Sequence, residues 1–194
     1  MAIALANDGF RRAGAGITLP VRQGRGKVYT KVSATAHRII LRNLRAGGKP
    51  AFVPSKAAIE EGRTTLIADG NLFRSITRRG TAAAAIVESY DHRAAIHHFG
   101  GTIVPKTAGA LTIPIAPEAK GKRAADFPSD ELWVLKKDET KQAVLMWGSK
   151  ALFLLVKSVE MPSRPFMDIP ESDTPELLAT VRDEVVGQID IRTN

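Results

Sequence analysis

The residues best suited to chemistry lie in one run, DHRAAIHHFGG, from Asp91 to Gly101, where three histidines follow a carboxylate. Imidazoles beside an acid are the raw material of a metal site or a general base. The spacing does not assemble them. His97 and His98 are neighbours, so on a helix they point about 100° apart. His92 and His97 are five apart and miss the i, i+4 pairing that brings two imidazoles to one ion, and His37 is remote in sequence. The predicted arrangement packs one imidazole beside Phe99 and leaves the other solvated or hydrogen-bonded. Gly100-Gly101 would then break the helix.

Other chemistries fare no better. Ser75, Ser89, Ser149 and Ser163 sit in no G-x-S-x-G elbow. Glu60-Glu61 and Asp138-Glu139 are paired acids in polar connections, and GRGK at 24–27 is no phosphate-binding loop. The chain has no cysteine, which excludes disulfides, thiolate zinc sites and cysteine nucleophiles. No catalytic, metal-binding or cofactor-binding residue is expected, and the chain does not read as an enzyme. Met1–Gly9 lacks the basic start and apolar core of a signal peptide, and the longest apolar run, Ala151–Val156, is too short to span a bilayer. A soluble protein without membrane contact is expected.

The elements that must position these residues suggest an α+β fold. A mixed or antiparallel central sheet of hairpins would carry an N-terminal helix, a short middle helix and a C-terminal helix. Residues 1–27, rich in Gly, Ala and Arg, read as a flexible basic arm. Residues 28–194 read as one α+β domain, with an extended hairpin and loop region at about 105–160. Apolar residues at 32, 36, 39, 40 and 44 space as a helix over Val32–Arg45. NLFRSITRR and AAAIVES read as a hairpin around Gly80, and Tyr90–Phe99 as a short helix. TIVPK and ALTIPI read as a second hairpin, Pro117–Ser129 as a mobile loop, and ELWVLKKDETKQAVLMWG as the clearest hairpin. ALFLLVKSV is apolar on both faces and should be a central strand. The last helix should start at Thr174 as N-cap with Pro175 in its first turn, and bury a stripe of Leu177, Leu178, Val181, Val185 and Ile189.

Charge is unevenly spread. Residues 1–80 hold 15 Lys/Arg against 4 Asp/Glu, whereas residues 160–194 hold 3 against 8, inside a chain of net charge +8. A basic front and an acidic back suit either a nucleic-acid surface or head-to-tail contacts between copies. Arg22, Arg25, Lys27, Lys31, Arg38, Arg42 and Arg45 are the candidates to face DNA or a partner. Tyr29 is the only aromatic among them, so base stacking is not favoured.

Three segments together resemble a known family. LIADGNLFRSI (Leu66–Ile76) has an apolar pair, a turn glycine, then L-x-x-S-I, carried by Gly70, Leu72 and Ser75. DHRAAIHHFGG carries His97, Phe99, Gly100 and Gly101, and MPSRPFMDI carries Arg164, Pro165 and Phe166 just before a C-terminal helix. In this order, over roughly residues 30–190, they are similar to the phage virion morphogenesis family, which includes tail completion proteins of contractile-tailed and Mu-like phages. The resemblance implies a structural subunit of the virion tail or neck, assembled in the bacterial host cytoplasm. It implies self-association into a ring, six copies by analogy with tail architecture, and contacts with tail tube or sheath and neck or connector proteins. It implies that His97, Phe99, Gly100 and Gly101 form a helix end and turn, and that Phe166 is a buried anchor while Arg164 reaches a carbonyl or carboxylate. A free DNA-binding protein is the alternative reading.

Overall fold

The computed structural model describes residues 2–6, 25–137 and 142–190. These form two compact units, one from the described residues up to Gly100 together with those from Pro162 onward, the other from Gly101 to Met161. The stretch expected to hold extended hairpins and loops falls within the second. No helix among the described residues is long and apolar enough to cross a membrane.

The first unit is built on helix α1 (Arg25–Arg45), which starts earlier than the spacing at 32–44 suggested. Val28 already belongs to the buried stripe that Val32, Ala36, Ile39, Ile40 and Leu44 continue. Each such aliphatic side chain contributes about 1.5–3 kcal/mol when fully removed from water. A short helix α2 (Lys56–Glu60) follows, capped by the Ser55 hydroxyl, which accepts from Ala58 N at 3.2 Å.

Asn71–Arg74 of the predicted strand NLFRSITRR is instead a helical turn, α3. Gly70 enters it at φ +74°, and the Asp69 carboxylate accepts from Asn71 N at 2.9 Å, satisfying a donor that a first helical turn leaves open. Strand β2 (Ile76–Gly80) then pairs antiparallel with β3 (Ala84–Ser89), so the hairpin around Gly80 is present. Residues 2–6, read as part of a flexible arm, form strand β1 (Ala2–Ala6) on the other side of β3. Residues 7–24, the rest of that arm, lie outside the described residues. Gly80 is required where it stands, because a Cβ there would come 2.3 Å from the Thr30 nitrogen of α1.

The predicted helix over Tyr90–Phe99 begins only at Ala94, as α4 (Ala94–Phe99). The Asp91 carboxylate takes Arg93 N at 2.8 Å, holding the preceding residues in a turn. The C-terminal helix α5 (Thr174–Asp190) also starts differently. A 3-10 turn over Glu171–Asp173 runs into it, so Thr174 has helical angles and its hydroxyl turns back to Pro170 O at 3.4 Å instead of capping. Leu177 is buried and Val181 and Val185 pack on the core, but Leu178 is 47% exposed; the Ile189 side chain lies outside the described residues.

The second unit holds two sheets. Strand β4 (Gly101–Ile103) pairs with β9 (Val159–Met161), and β5 (Leu111–Pro114) pairs with β8 (Lys150–Val156), so the expected hairpin of TIVPK with ALTIPI does not form. Local pattern cannot reveal such partners, which lie 39 to 60 residues away in sequence. β6 (Leu132–Lys137) and β7 (Gln142–Trp147) make the predicted hairpin, giving the order β5-β8-β7-β6 with β8 inside the sheet, as its two apolar faces suggested. The presumed loop Pro117–Ser129 contains 3-10 turns at Pro117–Ala119 and Ala124–Asp126. It buries Ala119 and Phe127 against Leu152 and Phe153.

Candidate assembly surfaces

The basic face of α1 meets the acidic start of α5 inside one chain. Asp173, only 5% exposed, accepts from Asn43 Nδ2 at 2.7 Å and Lys49 Nζ at 2.8 Å, with Arg42 Nη2 at 3.3 Å. Glu176 faces Arg42 Nη1 at 2.9 Å and Arg38 Nη2 at 2.8 Å. The hydrogen bond from Lys49, then that from Asn43, holds the Asp173 carboxyl below its ordinary range, while Glu176 pushes the Arg42 guanidinium upward. These acids are therefore occupied within the chain. Arg45 lies over the Phe73 ring at 4.7 Å, and Lys27 and Lys31 are exposed on α1. The side chains of Arg22 and Arg25 lie outside the described residues. His37, whose Nε2 donates to Ile76 O at 3.0 Å in one tautomer, lines an open groove with Arg38, Leu41, Arg42, Arg45 and Ala46.

The histidine run ends α4. Gly100, at φ +71°, donates its N–H to Ile96 O at 3.0 Å, and Gly101 follows at φ +133°; both lie where a Cβ would be strained. His98 is 5% exposed, with its ring edge-on to Phe99 at 4.6 Å and to Phe166 at 5.5 Å. Its Nδ1 accepts from Met167 N at 3.4 Å, which puts the ring proton on Nε2, 3.5 Å from Asp168 Oδ1. The RPF segment closes against the same turn. Ser163 Oγ donates to His98 O at 2.8 Å, and Arg164 N donates to His97 O at 3.0 Å. Arg164 Nε, buried, donates to Val53 O at 2.8 Å, and Phe166 is buried beside it.

Burial pushes the His97 imidazole below its ordinary range, with Arg164 adding to the effect, and burial does the same to His98. Both are neutral at pH 7. His92 is exposed beside Asp91, whose carboxyl Arg93 pulls down to about 2. Among the described residues no three His, Cys, Asp or Glu side chains are placed to hold a metal ion. Ser75 donates to Leu72 O at 2.7 Å and meets the Ser89 hydroxyl at 2.7 Å, and its neighbour Leu72 is buried, so both serve the turn after Gly70.

The structure thus brings His97, His98, Arg164, Pro165 and Phe166 into one joint. It places Gly70, Leu72 and Ser75 at a second turn, and Lys27, Lys31, Arg38, Arg42 and Arg45 along one helix. Asn43 and Asp173 were missed. A lone amide in a basic helix and an acid before T-P-E have no local signature, because their pairing exists only once α1 and the C-terminal segment meet.

No solved structure matches the chain. A 77-residue stretch is 35% identical to Mu-like prophage FluMu G protein 2 of Haemophilus influenzae. That match covers 40% of this chain and 54% of the relative, so the chain spans about half of the relative's length. The model of the phage virion morphogenesis family matches residues 23–186, and with that extent of match the chain belongs to the phage virion morphogenesis family, a family of phage structural and morphogenesis proteins.

Proposed function

We propose that the protein acts in tail completion or head–tail joining, as a subunit of the neck or tail-terminator ring of a phage or prophage particle. The observation that carries the reading is the family match over residues 23–186, which includes both turns and the RPF joint. The chemistry agrees: His98 is packed among rings with its imidazole, like that of His97, held below its ordinary range by burial, and the serine of the Gly70 turn is hydrogen-bonded to backbone and hydroxyl. Such parts hold a shape that neighbours can dock on. The partners would be further copies of this chain and tail tube or sheath and neck or connector proteins, in the virion.

The test is to remove the protein during particle assembly and examine the products by electron microscopy. Separate heads and tails, or tails of irregular length, both restored by the wild-type chain, are expected. Normal joined particles without it would refute the reading. The DNA-binding alternative draws on exposed Lys27, Lys31 and Arg45. It requires duplex binding that falls steeply as salt rises.

A further inference from the structure

Strand β6 is the outer strand of its sheet, paired with β7 on one edge and with no other strand on its second edge among the described residues. It opens with Leu132-Trp133-Val134-Leu135, four apolar residues in succession. Successive side chains of a strand point to opposite faces, yet Trp133, Val134 and Leu135 are 47%, 46% and 45% exposed. Leu132 packs on the cluster of Leu152 and Phe153, but the three residues after it stand close to half exposed on both faces. Natural proteins usually blunt such an edge with charge or proline; in β6 the charge is confined to its last two residues, Lys136 and Lys137, and the apolar run has neither. The Trp133 indole is already held, donating from Nε1 to Gly148 O at 2.9 Å, so little ordering is left for a partner to impose.

The charges say what the partner is. Asp130 and Glu131 precede the apolar run and Lys136 and Lys137 follow it. Asp130, Glu131 and Lys136 enter no ion pair with other described residues. Turned end for end, this order is its own complement. In an antiparallel pair related by a two-fold axis, the axis passes through a residue that faces its own copy. An axis at Trp133 sets Asp130 opposite Lys136 and Leu132 opposite Val134. An axis at Val134 sets Trp133 opposite Leu135 and Glu131 opposite Lys137. Each register meets an acid with a base and an apolar residue with an apolar one, and each also sets one charge against an apolar residue, Glu131 against Leu135 or Lys136 against Leu132, whereas parallel pairing would stack like charges throughout. The sheet's other edge, β5, carries Pro114, which lacks a ladder donor. We propose that the open edge of β6 is the site at which two copies of this chain pair, antiparallel across a two-fold axis, joining their sheets into one.

This contact is isologous and so differs from the head-to-tail contacts of a ring. It does not rest on the tail reading. The test uses the full chain and two variants, D130K/E131K and K136E/K137E, with association measured by sedimentation and folding monitored by far-ultraviolet circular dichroism. Each variant alone brings like charges together at both ends, so pairing should weaken about tenfold or more. Mixed in equal amounts, the two variants are complementary at both ends again, and mixed dimers should form with near wild-type affinity. If a variant fails to fold, hydrogen exchange on the wild type decides: β6 amides should become protected as concentration rises. Monomeric wild type, variants that associate like wild type, a mixture that does not recover, or β6 amides exchanging freely in an assembled state would each overturn the proposal. In the last case a ring formed elsewhere on the surface would leave the tail reading intact.

Discussion

Replacing Asp173 with alanine tests whether the contact between α1 and the C-terminal segment is held by one buried carboxylate. Asp173 is 5% exposed and its shortest bond is to Asn43 Nδ2 at 2.7 Å, itself a buried residue. Lys49 and Arg42 are close to half exposed, so water replaces most of what they lose and their share is small. The larger cost falls on Asn43, whose amide is left inside without its acceptor. Losing a charge-assisted hydrogen bond and stranding its donor together cost about 3 kcal/mol. For a chain of this length that lowers the thermal midpoint by roughly 6–12 °C. Asp173→Asn retains an acceptor oxygen and should fall by about half as much. The assay is thermal unfolding followed by circular dichroism, at low and high salt. The deficit of Asp173→Ala should persist in salt, because it comes from a buried bond and not from screened surface charges. A double-mutant cycle with Asn43→Ala should show the two residues coupled. A midpoint within about 1 °C of wild type, against that calibration, or strictly additive effects of the two substitutions, would refute the reasoning.

Other substitutions probe the remaining joints. Gly80→Ala drives a Cβ into the Thr30 backbone at 2.3 Å, so α1 must move off β2; destabilisation of about 1–3 kcal/mol in chemical denaturation is expected. Phe166→Ala empties the space beside His98 and should cost about 3–5 kcal/mol by the same measurement. The histidines carry a pH dependence. Burial lowers the folded-state values of His97 and His98 below the ordinary 6.5, so in acid the unfolded chain binds more protons than the folded one. Stability should be full well above that value, and the midpoint should decline as pH drops through it towards the lower folded-state values; His98→Asn should flatten part of that decline. Asp91 and Asp173 act in the opposite range, their folded values lying below the unfolded ones, so their contribution disappears only in stronger acid.

Sequence alone determined whatever is local in its physics. The 3.6-residue spacing of aliphatics specifies α1 from Val32, although its first turns do not show in that spacing, because Arg25–Lys27 belong to the stretch that reads as arm and Val28 and Tyr29 fall between the arm and the stripe. Two β-rich runs around one polar segment specify the β6–β7 hairpin, and Gly100-Gly101 end α4 because positive φ strains other residues. Tertiary structure decided the rest. β4 finds β9 and β5 finds β8 across long loops, pairings for which the sequence has no short-range cue. Thr174 is an N-cap by pattern, yet a 3-10 turn over Glu171–Asp173 carries helical geometry through it. The charge split read as contacts between copies is partly closed inside the chain, where Asp173 and Glu176 meet Lys49, Arg42 and Arg38. Composition reports how many charges a chain has; only folding brings a particular acid within 3 Å of a particular base, and that distance determines whether the charge is occupied or free to meet a partner.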